Sequence, residues 1–362
     1  MIHEEKIIMK KISILLLLAI ILSSCVEKKY DWSTSISAPK EYPVVIQRGF
    51  MGKSFFGPSC ISSCWGIGMD VAKKQAFNLP DTFEITWLSL IERKFYKGKW
   101  ILPKDKIKHY FENGFNYGNK KIDYNKIIIG LAPKGTVVLW LSGDHGIQIE
   151  IGKYQATQVF LESNDVSDSS KFMFENGFID KKLADPKFIS SDIKEKIKAY
   201  GYPSSIIYDV YREKYSWQPE VILPGGSKIS SINIKMCNGE KKIISNSIHN
   251  IEQKSIPYLI KIIWKNKKGG VFESNIVFIN DDDLKKNFNN KKEELPLNFE
   301  RNSILVLFKE KINKNLPAKI IIKFEKESIS NLFLEQDNNK YEISDFNEET
   351  QKVVIKTPCI CK

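Results

Sequence analysis
The chain has 362 residues, 42% of them hydrophobic and 27% charged, enough to fill a sizeable core and too apolar for a disordered chain. At roughly 100–200 residues per domain, this length suggests two domains. Its net charge of +12 does not point to nucleic acid: four arginines (Arg48, Arg93, Arg212, Arg301) stand against 51 lysines. Specific phosphate and base recognition leans on the guanidinium fork, whereas lysine is a point charge. The lysine, asparagine and isoleucine excess reads as coding bias on a solvated surface, with attraction to anionic lipid or glycan the alternative, and no nucleic-acid partner is expected.

Lys10 and Lys11 precede an apolar run, residues 12–22, that suits a signal-peptide core and is too short for a bilayer span of about 20 residues. The run ends Leu22-Ser23-Ser24-Cys25, small residues that fit a peptidase cleft before a thiol. This resembles the lipobox of bacterial lipoproteins, which implies cleavage between Ser24 and Cys25 and acylation of Cys25. Met9-Lys10-Lys11 opens a signal as well as Met1 does. One acyl chain binds a membrane marginally and two or three hold firmly. The expected partner of Cys25 is therefore the membrane, with the remainder of the chain water-soluble. Val26 stands where, in such lipoproteins, an aspartate resembles an inner-membrane retention signal, so the outer membrane is favoured.

The expected organisation is a signal peptide over 1–24, a lipid-anchored polar tether over 25–41, an N-terminal α+β domain over 42–180, a connector with a helix over 181–203 and a β-rich domain over 204–362. Strands are expected at 43–50, 65–71, 82–92 and 94–102, the last as the return arm of a hairpin turning at Lys97-Gly98. A short helix follows at 105–111, stopped by Asn113-Gly114. Strands at 136–141 and 147–151 flank the turn Ser142-Gly143-Asp144-His145-Gly146, with another at 158–162. A helix at 192–200 ends at Gly201-Tyr202-Pro203. Beyond it, strands are expected at 221–223, 228–237, 241–245, 258–265, 271–279, 304–309, 318–324, 340–343 and 352–357, and a helix capped by Asp281-Asp282-Asp283 through Phe288. The fold class is α+β: predominantly antiparallel β sheets in two domains, the second compatible with a β-sandwich, with a few short helices.

Cys60, Cys64, Cys237, Cys359 and Cys361 remain after Cys25. An envelope compartment permits disulfides, and Cys60 could bridge Cys64 across a compact loop. A zinc site would need paired C-x-x-C spacing or nearby histidines, and neither is present. Asp144-His145 is the sharpest catalytic lead, because a carboxylate can orient an imidazole base; a solvated turn explains the pair as well. His109 and His249 read as surface residues. A Cys60 or Cys64 thiolate serving with His145 is the other catalytic option. Gly57-Pro58-Ser59-Cys60 lacks the closing glycine of a hydrolase elbow, and no phosphate loop or dinucleotide fingerprint occurs. Neither a catalytic set, a metal nor a cofactor is assigned. The aromatic and arginine residues Trp87, Arg93, Tyr96, Trp100, Arg212 and Trp217 offer a recognition patch, since such anchors dominate protein-interface energy; core filling is the alternative.

Several stretches carry a resemblance. They are Ser37-Ala38-Pro39-Lys40-Glu41-Tyr42-Pro43, Trp87-Leu88-Ser89, Glu92-Arg93-Lys94-Phe95-Tyr96, Gly130-Leu131-Ala132-Pro133-Lys134-Gly135, Val138-Leu139-Trp140-Leu141-Ser142-Gly143, Gly201-Tyr202-Pro203, Tyr211-Arg212-Glu213-Lys214-Tyr215-Ser216-Trp217 and Asn238-Gly239-Glu240. Together, over residues 30–265, they resemble the bacterial lipoprotein family catalogued as domain of unknown function 2931. The resemblance implies an envelope lipoprotein without an established activity, and by analogy a toxin-immunity protein. The leading expectation is a non-catalytic module that binds a protein partner in the envelope. The alternatives are a glycan- or ligand-binding module and an envelope hydrolase.

Overall fold
The computed structural model describes residues 28–117, 120–245, 251–278 and 302–353. The signal segment 1–24, Ser24, Cys25, His249, the helix expected at 281–288, Cys359 and Cys361 lie outside the described residues. So does most of the strand expected at 352–357. The described residues are strand-rich, with few helices and several mainly antiparallel sheets.

A ten-stranded sheet runs through both halves of the chain. Its spatial order is Asn347–Val353, Val271–Val277, Pro257–Lys265, Lys228–Met236, Lys241–Ser245, Gln148–Gln155, Thr136–Gly143, Tyr124–Ala132, Tyr30–Ser37 and Met69–Phe77. The two halves meet at its centre, where Gln148 pairs with Lys241. Thr157–Val159, Lys94–Ile101, Thr82–Ser89, Val44–Met51 and Ser54–Phe56 form a second sheet, in which Ser59–Ile61 also pairs with Val44–Met51. Glu252–Lys254, Tyr215–Ile222, Ala318–Glu325, Ser328–Gln336 and Asn339–Glu342 form a third.

Side-chain alternation distributes the core. Ile127, Ile129, Leu139 and Leu141 pack with Val44, Phe83, Ile85 and Trp87 of the second sheet. Their neighbours Ile128, Val138 and Trp140 join a different core, shared with Ile234, Ile260 and Trp264 and with Trp217, Ile320 and Leu334 of the third sheet. The connector span 181–203 therefore does not mark a break in the sheet or in this core.

Two expectations change. The span read as a tether contains a buried strand, Tyr30–Ser37, parallel to Tyr124–Ala132 and antiparallel to Met69–Phe77. Ser35 and Ser37 are buried with partners distant in sequence, Ser35 donating to Asp70. Ser37 Oγ donates to the Cys64 carbonyl at 2.8 Å and accepts from the Gly66 N–H at 2.9 Å; such pairing removes most of the cost of burial. The segment expected as a strand at 304–309 is instead part of the helix Ser303–Lys311. Asn302 caps it by accepting from the Ile304 N–H at 3.0 Å, and Ile304, Leu305 and Phe308 bury one face. The β-branched and aromatic content favoured strand; the cap and the one-sided burial decided for helix.

Candidate functional site
A group of bonded polar side chains lies where the two halves meet. Asn238-Gly239 makes a tight turn, closed by the Gly239 N–H donating to the Met236 carbonyl at 2.9 Å. Gly239 has φ +90° and faces Gly66, φ +76°. Gln148, 3% exposed, bonds both backbones. Its Nε2 donates to the Gly66 carbonyl at 2.8 Å and to the Gly239 carbonyl at 2.7 Å. Trp140 Nε1 donates to the Asn238 carbonyl at 3.0 Å.

Two carboxylates flank this contact. Glu150 Oε1 accepts from Arg212 Nε at 2.8 Å and Nη2 at 2.5 Å, and Oε2 accepts from Asn238 Nδ2 at 3.4 Å. Glu240 Oε1 accepts from the Glu150 N–H at 3.1 Å, and Lys214 Nζ lies 3.3 Å from Glu240 Oε2. Both carboxylates are largely shielded from water. Tyr110 and Tyr124 stand near them, their rings 5.5 Å apart. Burial, then Tyr110 and Glu240, pushes the Tyr124 hydroxyl up to about 12. Both carboxylates are already taken by donors of the same chain. Chemically, the group is suited to holding the halves in register.

The cysteines and the buried Lys254 lie outside this group. Cys60, Cys64 and Cys237 carry free thiols, so the Cys60–Cys64 bridge is not formed. Burial pushes the Cys237 thiol up to about 12; it donates to the Tyr211 carbonyl at 3.5 Å and lies 3.3 Å from Ser255 Oγ. Lys254 is buried with its Nζ 5.0 Å from the Trp217 ring centre. Burial brings its ammonium down to about 8, against the pull of Glu252 at 3.7 Å. No group of three or more His, Cys, Asp and Glu side chains suited to a metal occurs among the described residues.

The structure does not gather the expected recognition patch. Trp87, Tyr96 and Trp217 are 1%, 5% and 0% exposed and fill the core. Trp87 and Tyr96 lie against each other at 5.5 Å, and Trp217 Nε1 donates to the Ser255 carbonyl at 3.1 Å. Trp100 is half-buried, lying across Gly98 and against Phe83 at 4.7 Å. Arg93 is exposed and pairs with Asp180, while Arg212 is committed to Glu150. Alternation on the hairpin sends Tyr96, Gly98 and Trp100 to one face, and that face is the core. Of the catalytic leads, Asp144 accepts from Asn125 Nδ2 at 3.2 Å on an exposed turn, with His145 beside it at φ +58°. His109 lies on the exposed side of the helix Lys104–Asn113.

A different exposed set begins at the last residue of the helix Ser191–Tyr200. Tyr200, Tyr202 and Ile206 are 53%, 44% and 65% exposed. The segment is pinned from beneath: Tyr42 Oη donates to the Pro203 carbonyl at 2.6 Å, and the Tyr42 and Tyr202 rings lie 5.5 Å apart. Gly201-Tyr202-Pro203 was visible in the sequence as a helix stop; its placement over Tyr42 is a contact between residues 160 positions apart.

A family model described as Protein of unknown function (DUF2931) matches residues 18–205, just over half of the chain. No curated protein and no solved structure matches the chain.

Proposed function
The chain belongs to the family described as Protein of unknown function (DUF2931), and from that premise we propose that it is a lipid-anchored outer-membrane protein of the bacterial envelope, a non-catalytic module that binds another protein. The Lys10-Lys11, apolar 12–22 and Leu22-Ser23-Ser24-Cys25 pattern supports the anchor. The observation that carries the binding role is the exposed Tyr200, Tyr202 and Ile206 set on a pinned segment. Tyrosine supplies contact area at low entropic cost and is enriched at interfaces. The sharper version is inhibition of a toxin that reaches the envelope. The exposure of Asp144 and His145 on their turn favours binding over hydrolysis.

The test is a photo-crosslinking residue introduced at Tyr202 of the full chain in its native envelope. A discrete protein adduct is expected, lost when Ile206→Asp is added and absent when the crosslinker stands at Lys326. No adduct at Tyr202 counts against the reading. Deletion should sensitise cells to a co-encoded effector; unchanged survival against each such effector removes the inhibitor version.

A further inference from the structure
The strand Tyr30–Ser37 is locked between two neighbours, so the point where the chain runs into the sheet is fixed. Tyr30 pairs with Phe77 and packs on Phe111 with ring centres 5.7 Å apart. Tyr30 Oη donates to Glu112 Oε1 at 2.8 Å, and Lys28 Nζ lies 3.7 Å from the same oxygen. Only three peptide units separate Cys25 from Lys28, a span of at most about 11 Å. The strand itself is about 25 Å long. A tether this short lets the body tilt and does not let it turn over.

The surface around that point carries the exposed lysines Lys28, Lys29, Lys108 and Lys120. Of the acids bordering it, Glu112 is held by Tyr30 and Lys28, Asp123 by Lys121 and Asp144 by Asn125, while Asp31 stands exposed. Lysine exceeds acid only narrowly there, so tether length orients the body and the lysines supply the contacts. We propose that this end of the ten-stranded sheet rests on the lipid phosphates of the bilayer, with Lys28, Lys29, Lys108 and Lys120 against them and the strands standing upright. The proposal rests on the acylation of Cys25 put forward above. It places Ser37, Tyr42 and the Tyr202 segment at the end away from the bilayer, where a protein partner can reach them.

The experiment uses the full mature chain reconstituted in phosphatidylethanolamine–phosphatidylglycerol vesicles and, in parallel, in detergent. A membrane-impermeant amine-acylating reagent is applied and each lysine is read by peptide mass spectrometry. Lys134 and Lys198, near the opposite end, serve as internal references. Labelling of Lys28, Lys29, Lys108 and Lys120 is expected to fall about fivefold or more on vesicles relative to the references, as for lysines at a headgroup surface. Equal labelling of both sets overturns the proposal. The mass of the Cys25 peptide from the same digest reads the anchor separately. An acylated Cys25 with uniform labelling leaves the anchor standing and rejects the orientation; an unacylated Cys25 rejects both.

Discussion

A Cβ placed on Gly66 would stand 2.7 Å from the Gly239 Cα. These two residues, 173 positions apart, bring the backbones of the two halves together where a side chain on either glycine would collide. Gln148 makes the approach stable by bonding both carbonyls at once. Gln148→Leu keeps the volume and removes both donors. Leaving two buried carbonyls without partners should cost about 2–4 kcal/mol, read as a lowered urea midpoint. Gly239→Ala should cost at least as much, because it adds a clash with Trp140 to strain at φ +90°. A midpoint unchanged by either substitution would show that this contact does not hold the halves together.

Arg212 and Glu150 should behave as one unit. Arg212→Ala strands a shielded carboxylate that has lost its two strongest donors, at an expected cost of about 2–4 kcal/mol. Pairing it with Glu150→Gln should recover more than half of that loss. A double-mutant cycle measures the coupling, and simple additivity of the two changes would refute it.

Lys254 makes stability depend on pH in the alkaline range. Its folded pKa, about 8, lies below the ordinary 10.5. Below pH 8 the lysine is charged in both states and the burial penalty is fully present. Between pH 8 and 10.5 the unfolded chain holds the extra proton, so stability rises with pH. Lys254→Met should therefore stabilise the protein by about 1–3 kcal/mol at pH 7. The advantage should shrink through that window and be gone above it. Denaturation midpoints at pH 7 and pH 10 check this; a variant weaker than the parent at pH 7 contradicts it.

The thiols should separate by burial. Cys237, with its thiol held up at about 12, should resist iodoacetamide at pH 8 until the protein is unfolded, since the thiolate is the reacting form. Burial raises the Cys60 thiol too, partly offset by Lys182, but Cys60 is half-buried where Cys64 and Cys237 are buried, so access should make it alkylate first among the three described thiols. Peptide mapping after timed alkylation gives the order. Early labelling of Cys237 would mean that the core around Tyr211 and Ser255 opens readily.

Ile206→Asp should leave stability within about 0.5 kcal/mol, as expected for an exposed side chain outside the core. The same change should abolish the crosslink from Tyr202. Loss of both together would assign Ile206 to folding rather than to binding.

Much of the strand pattern was legible in the sequence. The segment 241–245 coincides with Lys241–Ser245, and the hairpin expected at 82–102 is Thr82–Ser89 followed by Lys94–Ile101, but it turns between Ser89 and Lys94, and Lys97-Gly98 pair in mid-strand with Thr86 and Ile85. Period-two alternation and turn residues are local signals, and they survive in the fold. The strand Tyr30–Ser37 was not legible, because its serines look like linker until Asp70 partners Ser35 and Cys64 and Gly66 partner Ser37. The recognition patch failed for a related reason. Alternation shows that Trp87, Tyr96 and Trp100 take sides, but only the second sheet lying on the first decides which side is wet.

By itself the sequence determined the strand-rich class and, with the family model, the membership, because hydrophobic period and short motifs are written along neighbouring residues. It also carries the Leu22-Ser23-Ser24-Cys25 signal on which the anchor proposal stands. Only the tertiary structure decided that one sheet joins both halves, that Gln148 clasps Gly66 to Gly239, and that Trp217 is core while Tyr202 is surface. Those outcomes depend on contacts between residues far apart in the chain. The free energy that selects them, burial of apolar faces with most enclosed polar groups paired, exists only once the layers have met.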